Sequence, residues 1–226
     1  MFRKWKDHRQ GIYTSNGAAI AVIEKSLSGR PLPDLFCFAL IGDFRGYVPG
    51  YSKRFANERD RLTWAILKAH TQNRGGEVTL RSADPLVAPK VNFHYFEEGT
   101  DASGQDLDSV VAGIRFVRQL TSGLNFLKEE LPGSDVATDD HLKEFVRNNA
   151  WGHHASCSCK IGKESESGVL DSAFRVHGVT GLRVVDASIF PKIPGFFILS
   201  SIYVAAEKAA DVIHANAQSP VDCQVH

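Results

Sequence analysis

The stretch WGHHASCSCKIG, residues 151–162, places two histidines and two cysteines within seven residues. These side-chain types are compatible with four kinds of site: a metal centre, a redox-active thiol pair, a catalytic histidine, or a packed core. The residues concerned are His153, His154, Cys157 and Cys159. Because each possibility uses the same groups, the stretch alone does not decide between them.

Spacing weakens two of the four possibilities. Zinc ligands usually come as pairs from two separated segments, whereas here all four candidates fall in one short segment and no second pair follows. Redox-active thiols are typically spaced Cys-x-x-Cys. Cys157 and Cys159 are separated by one residue, and Cys223 is distant in sequence. A metal site and a redox pair are therefore the weaker alternatives, and the surrounding sequence must decide between a packed and a catalytic histidine.

Composition limits the class of protein. A chain of 226 residues is long enough for one large domain or two small ones. Its hydrophobic content of 43% and charged content of 23% predict a folded globular protein. The 26 basic and 26 acidic residues balance, and no basic tract stands out, so no nucleic-acid partner is expected.

Neither a targeting segment nor a disulfide framework is apparent. The opening MFRKWKDHRQ lacks the apolar core of a signal peptide. The longest apolar passage, IPGFFILSSIYVAA, is shorter than the roughly 20 residues needed to cross a bilayer. The 4 cysteines are too few for a disulfide scaffold in a chain of this size. We therefore expect reduced thiols and a cytoplasmic protein that does not associate with membranes.

The sequence predicts strands in its first half. LFCFALIG, residues 35–42, is an apolar run between turn residues and is typical of a buried strand. GGEVTLRSADP and PKVNFHYF both alternate, with Val78 and Leu80 on one face of the first, and a proline-rich turn joins them. They predict an antiparallel pair. TWAILKAHT alternates only weakly.

Helices are predicted in the second half. DLDSVVAGIRFVRQLTSG carries one apolar stripe at helical spacing. The stripe consists of Leu107, Val110, Val111, Ile114, Val117 and Leu120. A second helix begins at the N-cap Thr138, GLRVVDAS predicts a short strand ending at Asp186, and a last helix runs from about Ile198 to about His214. Strands followed by helices without regular alternation predict an α+β fold with an antiparallel sheet flanked by helices.

Several stretches, in order, resemble the C-terminal part of the glucose–methanol–choline (GMC) family of FAD-dependent oxidoreductases. HTQNRGGEVTLRSADPLVAPKVNFHYF is similar to the family's S-R-G-x-V-x-L-x-S-x-D-P segment, and VVAGIRFVRQL to its G-I-R-x-x-R helix. HHASCSCKIG resembles H-P-x-G-T-C-x-M-G. GVLDSAFRVHGVTGLRVVDASIFP and AAEKAADVI resemble the family's D-A-S segment and its closing helix. The resemblance extends from about Leu35 to Ala215.

The resemblance implies a role for each motif. It places His154 against the flavin as the base for an alcohol's hydroxyl proton, or as the group that stabilises the alkoxide, with His153 as a packed neighbour. Asp186 and Ala187 would contact the FAD. The last helix would direct its N-terminus, beginning with Phe197, Ile198 and Leu199, towards the flavin pyrimidine ring. Cys157 and Cys159 become packing residues, with Cys159 in the family's cysteine position.

The sequence departs from the family in two places. The family has a second polar catalytic residue, His or Asn, eleven positions after the aspartate, and Phe197 stands there. A phenyl ring neither accepts a proton nor donates a hydrogen bond to an alkoxide. The family's G-x-G-x-x-G segment is also absent from these residues. In the family this segment belongs to the N-terminal half of the enzyme, so we expect FAD to bind only together with such an N-terminal half.

The resemblance implies a division of the chain into three parts. These are an N-terminal arm (1–34), a substrate-binding sheet with helices (35–150), and a catalytic-histidine segment whose strand and helix complete a flavin-binding domain (151–226). The implied function is the C-terminal portion of an oxidoreductase that acts on CH–OH groups of a small alcohol, with a separate FAD-binding chain as a potential partner. Two alternatives stay open: a non-catalytic remnant or partner-binding module, and a small metal-binding protein.

Overall fold

The computed structural model describes residues 2–15, 17–58, 60–152 and 154–218. The chain forms two compact units. Unit 1 contains Met1–Gly76 and Phe93–Trp151, and unit 2 contains Glu77–Asn92 and Gly152–His226. Helices and antiparallel sheets occur together, which confirms the predicted α+β class. The three predicted domain boundaries stay predictions.

Unit 1 is built on a three-stranded antiparallel sheet. Its strands are β1 (Ala18–Glu24), β2 (Leu35–Ile41) and β3 (Leu62–Lys68), in that spatial order. The central strand is the predicted buried one, and its alternate residues Leu35 and Cys37 are fully buried. Strand β1 lies within the segment expected to be an arm and was not predicted, and the weakly alternating TWAILKAHT contributes β3.

Helix α3 (Gln105–Thr121) packs on this sheet, and helix α4 (Asp139–Asn149) packs on α3. Both helices match their predictions, and the hydroxyl of Thr138 caps α4 by accepting the N–H of His141 at 3.2 Å. The shared core consists of Leu107, Val111, Ile114, Leu142 and Val146, with Ile66 of β3 packed against it. The predicted stripe ends early, because Leu120 is exposed.

A buried charged network joins the sheet to the start of α3. Asp34, just before β2, accepts the N–H and the hydroxyl of Ser26, each at 2.7 Å. The Lys68 ammonium lies 3.4 Å from Asp34 and 3.6 Å from Asp106 of α3. Burial would raise the pKa of Asp34, but the Ser26 hydrogen bonds and Lys68 outweigh it, so the pKa lies below its usual value.

Unit 1 also contains two short helices, α1 (Phe2–His8) and α2 (Tyr51–Asn57). Beside α2, edge-to-face contacts link Phe44 to four other aromatic rings at centroid distances of 5.3 to 6.4 Å. The partners of Phe44 are Tyr47, Tyr51, Phe55 and Trp151. Trp151 thus ends unit 1 in an aromatic cluster just before the histidine stretch.

Unit 2 contains the predicted antiparallel pair and the last helix. Strands β4 (Glu77–Thr79) and β5 (Lys90–Asn92) pair as expected, although Val78 and Leu80 are exposed. Helix α5 (Leu199–Gln218) begins one residue later and ends four residues later than predicted. Its buried side packs into a core formed by Leu170, Phe174, Ile189 and Ala209. Among the described residues, no helix is both long and apolar enough to cross a membrane.

The prediction of a strand at GLRVVDAS is wrong. Only an isolated bridge, between Arg175 and Arg183, forms there. The N–H of Val176 donates to Leu182 at 3.0 Å, and the N–H of Val184 donates to Phe174 at 3.1 Å. Two such bonds along one edge are too few for a regular ladder, and the segment runs on as an irregular loop to the turn at Asp186.

Candidate functional site

The segment after His154 lies alongside the turn that begins at Asp186, both within unit 2. The N–H of Cys157 donates to the carbonyl of Ala187 at 3.2 Å. The N–H groups of Cys159 and Ile161 donate to the next two carbonyls, those of Ser188 and Ile189, each at 2.9 Å. Three consecutive backbone bonds therefore bring together two motifs that are about 30 residues apart in the sequence.

His154 contacts the residue that departs from the family pattern. Its imidazole ring and the phenyl ring of Phe197 have centroids 5.8 Å apart and planes at 74°, an edge-to-face arrangement. His154 is half-buried, and Phe197 is 49% exposed. The imidazole thus stands at the surface of unit 2 beside the start of α5. His153 lies outside the described residues.

Asp186 supports the turn rather than pointing away from it. Its carboxylate accepts both the backbone N–H of Ser188, at 2.7 Å, and the Ser188 hydroxyl. Residues Ala187–Ile189 form a single 3₁₀ turn after it, which Asp186 caps. The carboxylate remains exposed to solvent, so the same group can hold the turn and present its second oxygen to a ligand.

The start of α5 has main-chain donors without a partner inside the helix, beside apolar side chains. Ile198 is buried, and its carbonyl accepts the N–H of Ile202 at 3.0 Å, which is the first bond of the helix. The N–H groups of residues 199–201 therefore have no partner within the helix. No acidic side chain lies in the first turn. An electron-rich planar group placed there would meet backbone donors and the exposed part of Phe197.

The two cysteines of the stretch are free thiols with different surroundings. Cys159 packs against the core of unit 2, as expected. Cys157 has a backbone φ of +73°, the left-handed region that favours glycine. This conformation was not predicted from the sequence. The feature that could have predicted it is the family motif H-P-x-G-T-C, in which glycine occupies the position of Cys157.

The metal-binding alternative gains no support from the residues that the structure describes. Among residues 2–15, 17–58, 60–152 and 154–218, no three His, Cys, Asp or Glu side chains are grouped to hold a metal ion. Because His153 is not among them, the four-ligand combination proposed from the sequence stays untested.

Comparison with known proteins gives a consistent match. The chain matches the GMC oxidoreductase family over residues 71–206. It is 43% identical to glucose methanol choline oxidoreductase atC of Aspergillus terreus over 72% of this chain and 26% of that protein. It is 39% identical to the oxygen-dependent choline dehydrogenase of Vibrio vulnificus over 61% of this chain and 25% of that protein.

The chain also aligns with solved structures of known proteins. Formate oxidase of Aspergillus oryzae RIB40, whose FAD modification has been studied structurally, aligns with a TM-score of 0.76 and 25% identity. That alignment covers 95% of this chain and 41% of the oxidase. A fungal aryl-alcohol oxidase aligns with a TM-score of 0.60 and 27% identity over 86% of this chain and 30% of the other. The chain thus spans about a quarter of the length of the curated relatives it matches.

Proposed function

Since the chain belongs to the GMC oxidoreductase family of FAD flavoproteins, we propose that its residues form the catalytic-histidine and substrate-side portion of an FAD-dependent oxidoreductase acting on CH–OH groups. The substrate class is a small-molecule alcohol. In this proposal His154 is the proton acceptor, and the turn at Asp186 and the start of α5 contact the flavin.

One observation supports this proposal most directly. Three motifs that are separate in sequence meet in unit 2: the histidine stretch, the Asp186 turn and the start of the closing helix. The three backbone bonds from residues 157–161 to residues 187–189 join the first two. The ring contact between His154 and Phe197 joins the first to the third. An unrelated packing of these segments would not have to place the imidazole at the α5 N-terminus.

The residues present fit one end of FAD. The isoalloxazine is planar and apolar over its faces, with carbonyl and nitrogen acceptors along one edge. The start of α5 supplies backbone donors without a competing carboxylate, next to the exposed ring of Phe197. The 226-residue sequence contains no G-x-G-x-x-G, so the proposal assigns the pyrophosphate to groups outside it, on the same or a separate polypeptide.

The chemistry assigned to this chain is proton transfer. FAD, when bound, supplies an acceptor for the hydride that leaves the carbinol carbon. An imidazole nitrogen of His154 accepts the hydroxyl proton, or holds the alkoxide by a hydrogen bond, both of which are established roles of histidine side chains. Asp186 holds the turn that carries Ala187, and the α5 N–H groups stabilise negative charge at its N-terminus.

The test is His154→Ala in the flavin-containing assembly. Loss of a general base lowers turnover by about 10² or more. The matched control is His141→Ala, since His141 is an exposed histidine of α4 in the other unit. Unchanged turnover of the His154 variant would refute the assignment, whereas a loss in both variants would indicate a general effect of the substitutions on folding.

A second candidate is a non-catalytic module that binds a partner through α5. This helix exposes large apolar side chains, with Leu199 61% exposed and Tyr203 65% exposed. The two candidates differ in flavin binding. A purified chain that stays colourless with added FAD, and also with a family member's dinucleotide-binding portion, favours the module.

A further inference from the structure

A contact that the family pattern does not contain lies at the centre of the candidate site. Phe197 stands where the family has His or Asn, and its ring meets the His154 imidazole edge to face at 5.8 Å between centroids. A polar residue there could bind the substrate hydroxyl or any further polar group near it. A phenyl ring has no donor or acceptor for either.

The short distance between His154 and Phe197 limits which part of a substrate can lie over the Phe197 ring. A hydroxyl bound to His154 lies about 3 Å from an imidazole nitrogen. Since the two ring centroids are only 5.8 Å apart, a substituent that extends from that carbinol carbon towards Phe197 can reach its ring. Phe197 is 49% exposed, whereas the next residue, Ile198, is buried. Phe197 thus has solvent-exposed surface beside the imidazole, whereas its neighbour in the sequence does not.

The surrounding segment is apolar and uncharged. From Ile193 to Ile202 the sequence IPGFFILSSI contains no charged side chain. A hydroxyl-bearing substituent placed over the Phe197 ring would lose its water without gaining a hydrogen-bond partner from that ring, which is unfavourable. An alkyl or aryl substituent would instead bury apolar surface on Phe197, which is favourable in proportion to the area covered.

We propose that Phe197 determines substrate specificity, and that the site takes alcohols whose carbinol carbon carries an alkyl or aryl group in preference to polyols. This inference rests on the proposed function, since it assumes that the substrate hydroxyl binds at His154. It assigns to Phe197 a contact with the substrate and makes His154 the polar anchor of that contact.

Binding to the 226-residue chain, followed by NMR of labelled histidine rings, tests the inference without turnover. The probes are benzyl alcohol and glycerol. Benzyl alcohol is expected to shift the His154 signals of the wild type and of Phe197→Leu, and to bind Phe197→Asn at least tenfold more weakly. Glycerol is expected to shift none of them at the same concentration. His177, whose ring bonds the carbonyl of Gly162 at 2.9 Å, is the internal reference.

Two outcomes overturn the inference: equal responses to both alcohols, or unchanged affinity of the Phe197→Asn variant for benzyl alcohol.

The ring contact has its own check, because Phe197→Leu removes the ring-current shift on the His154 signals while leaving the His177 signals unchanged. In the flavin-containing assembly, the ratio of kcat/KM for benzyl alcohol to that for glycerol falls at least tenfold in Phe197→Asn and stays within about threefold in Phe197→Leu. Failure of the His154→Ala test would refute the proposed function separately, since it concerns turnover and not selectivity.

Discussion

Gly113 of α3 lies so close to Ile66 of β3 that a β-carbon on the glycine would be 2.7 Å from the isoleucine Cγ2. The same β-carbon would be 3.5 Å from Leu35 on the neighbouring strand. The absence of a side chain at this point lets the helix pack directly on the sheet of unit 1.

Gly113→Ala is therefore expected to lower the free energy of unfolding. Alanine gains about 1 kcal/mol of helix propensity over glycine, but forcing a methyl group against a β-branched side chain costs about 1–3 kcal/mol. We expect a net loss of about 1 kcal/mol, measured by urea unfolding. Gly123→Ala is the control, because a β-carbon there would have no neighbour within 4 Å. Equal stability of the two variants would contradict the packing argument.

Cys157→Gly is expected to stabilise unit 2 relative to Cys157→Ala. Both substitutions remove the thiol, but only glycine adopts a φ of +73° without steric cost. A non-glycine residue held in this region costs about 1–3 kcal/mol, partly offset by the larger backbone entropy of glycine when unfolded. The melting temperatures of the two variants measure the difference. A more stable alanine variant would mean that the backbone does not hold this conformation.

The charged network of unit 1 makes stability depend on pH. The pKa of Asp34 is lower in the folded state than its unfolded value of about 3.9. Ionised Asp34 therefore stabilises the fold above that unfolded value, and this contribution is lost as pH falls through the lower folded-state pKa. Asp34→Asn should be less stable by about 2–4 kcal/mol at pH 7, because the buried Lys68 loses one partner.

Urea unfolding at a series of pH values checks this prediction. The difference in the free energy of unfolding between wild type and Asp34→Asn should become smaller as the solution is acidified below about pH 4. Asp108→Asn serves as the control, since Asp108 pairs with Lys143 at the surface of α3 and α4 and its loss should matter little. If this free-energy difference stays constant down to pH 2, Asp34 is not the group whose protonation makes stability depend on pH.

Cys37 should be inert to thiol reagents in the folded protein. Burial, with a smaller contribution from Glu24, raises the pKa of this thiol to about 11. At pH 8 only about one thiol in a thousand would be ionised, and the side chain is fully buried. Alkylation with mass-spectrometric mapping should label half-buried Cys157 and Cys159 first, and Cys37 only after denaturation. Rapid native labelling of Cys37 would show that the sheet opens.

Long periodic segments could be predicted from the sequence, and short or edge segments could not. Strand β2 and helices α3, α4 and α5 carry enough buried apolar positions to be recognised. Strand β1 was missed because most of AAIAVIE is exposed and shows no clear alternation of burial. The strand expected at GLRVVDAS was wrong, because valine-rich sequence indicates a strand only when a neighbouring strand pairs along its length.

The candidate site was predictable to the level of its motifs. The resemblance located His154, Asp186 and the start of α5 by position, and these motifs do meet in unit 2. It could not predict the ring contact of His154 with Phe197, because the family has a polar residue there. The positive φ of Cys157 was not predicted, although the glycine of the family motif at that position was a signal for it.

Because unit 2 is assembled from Glu77–Asn92 together with the chain after Trp151, no single crossover point can transfer it between relatives without also transferring part of unit 1. A chimera joined once at residue 152 would inherit the imidazole and the closing helix from one parent and the β4–β5 hairpin from the other. Homologous recombination, natural or in the laboratory, must therefore exchange two stretches of coding sequence at once to move this unit whole and leave unit 1 unchanged.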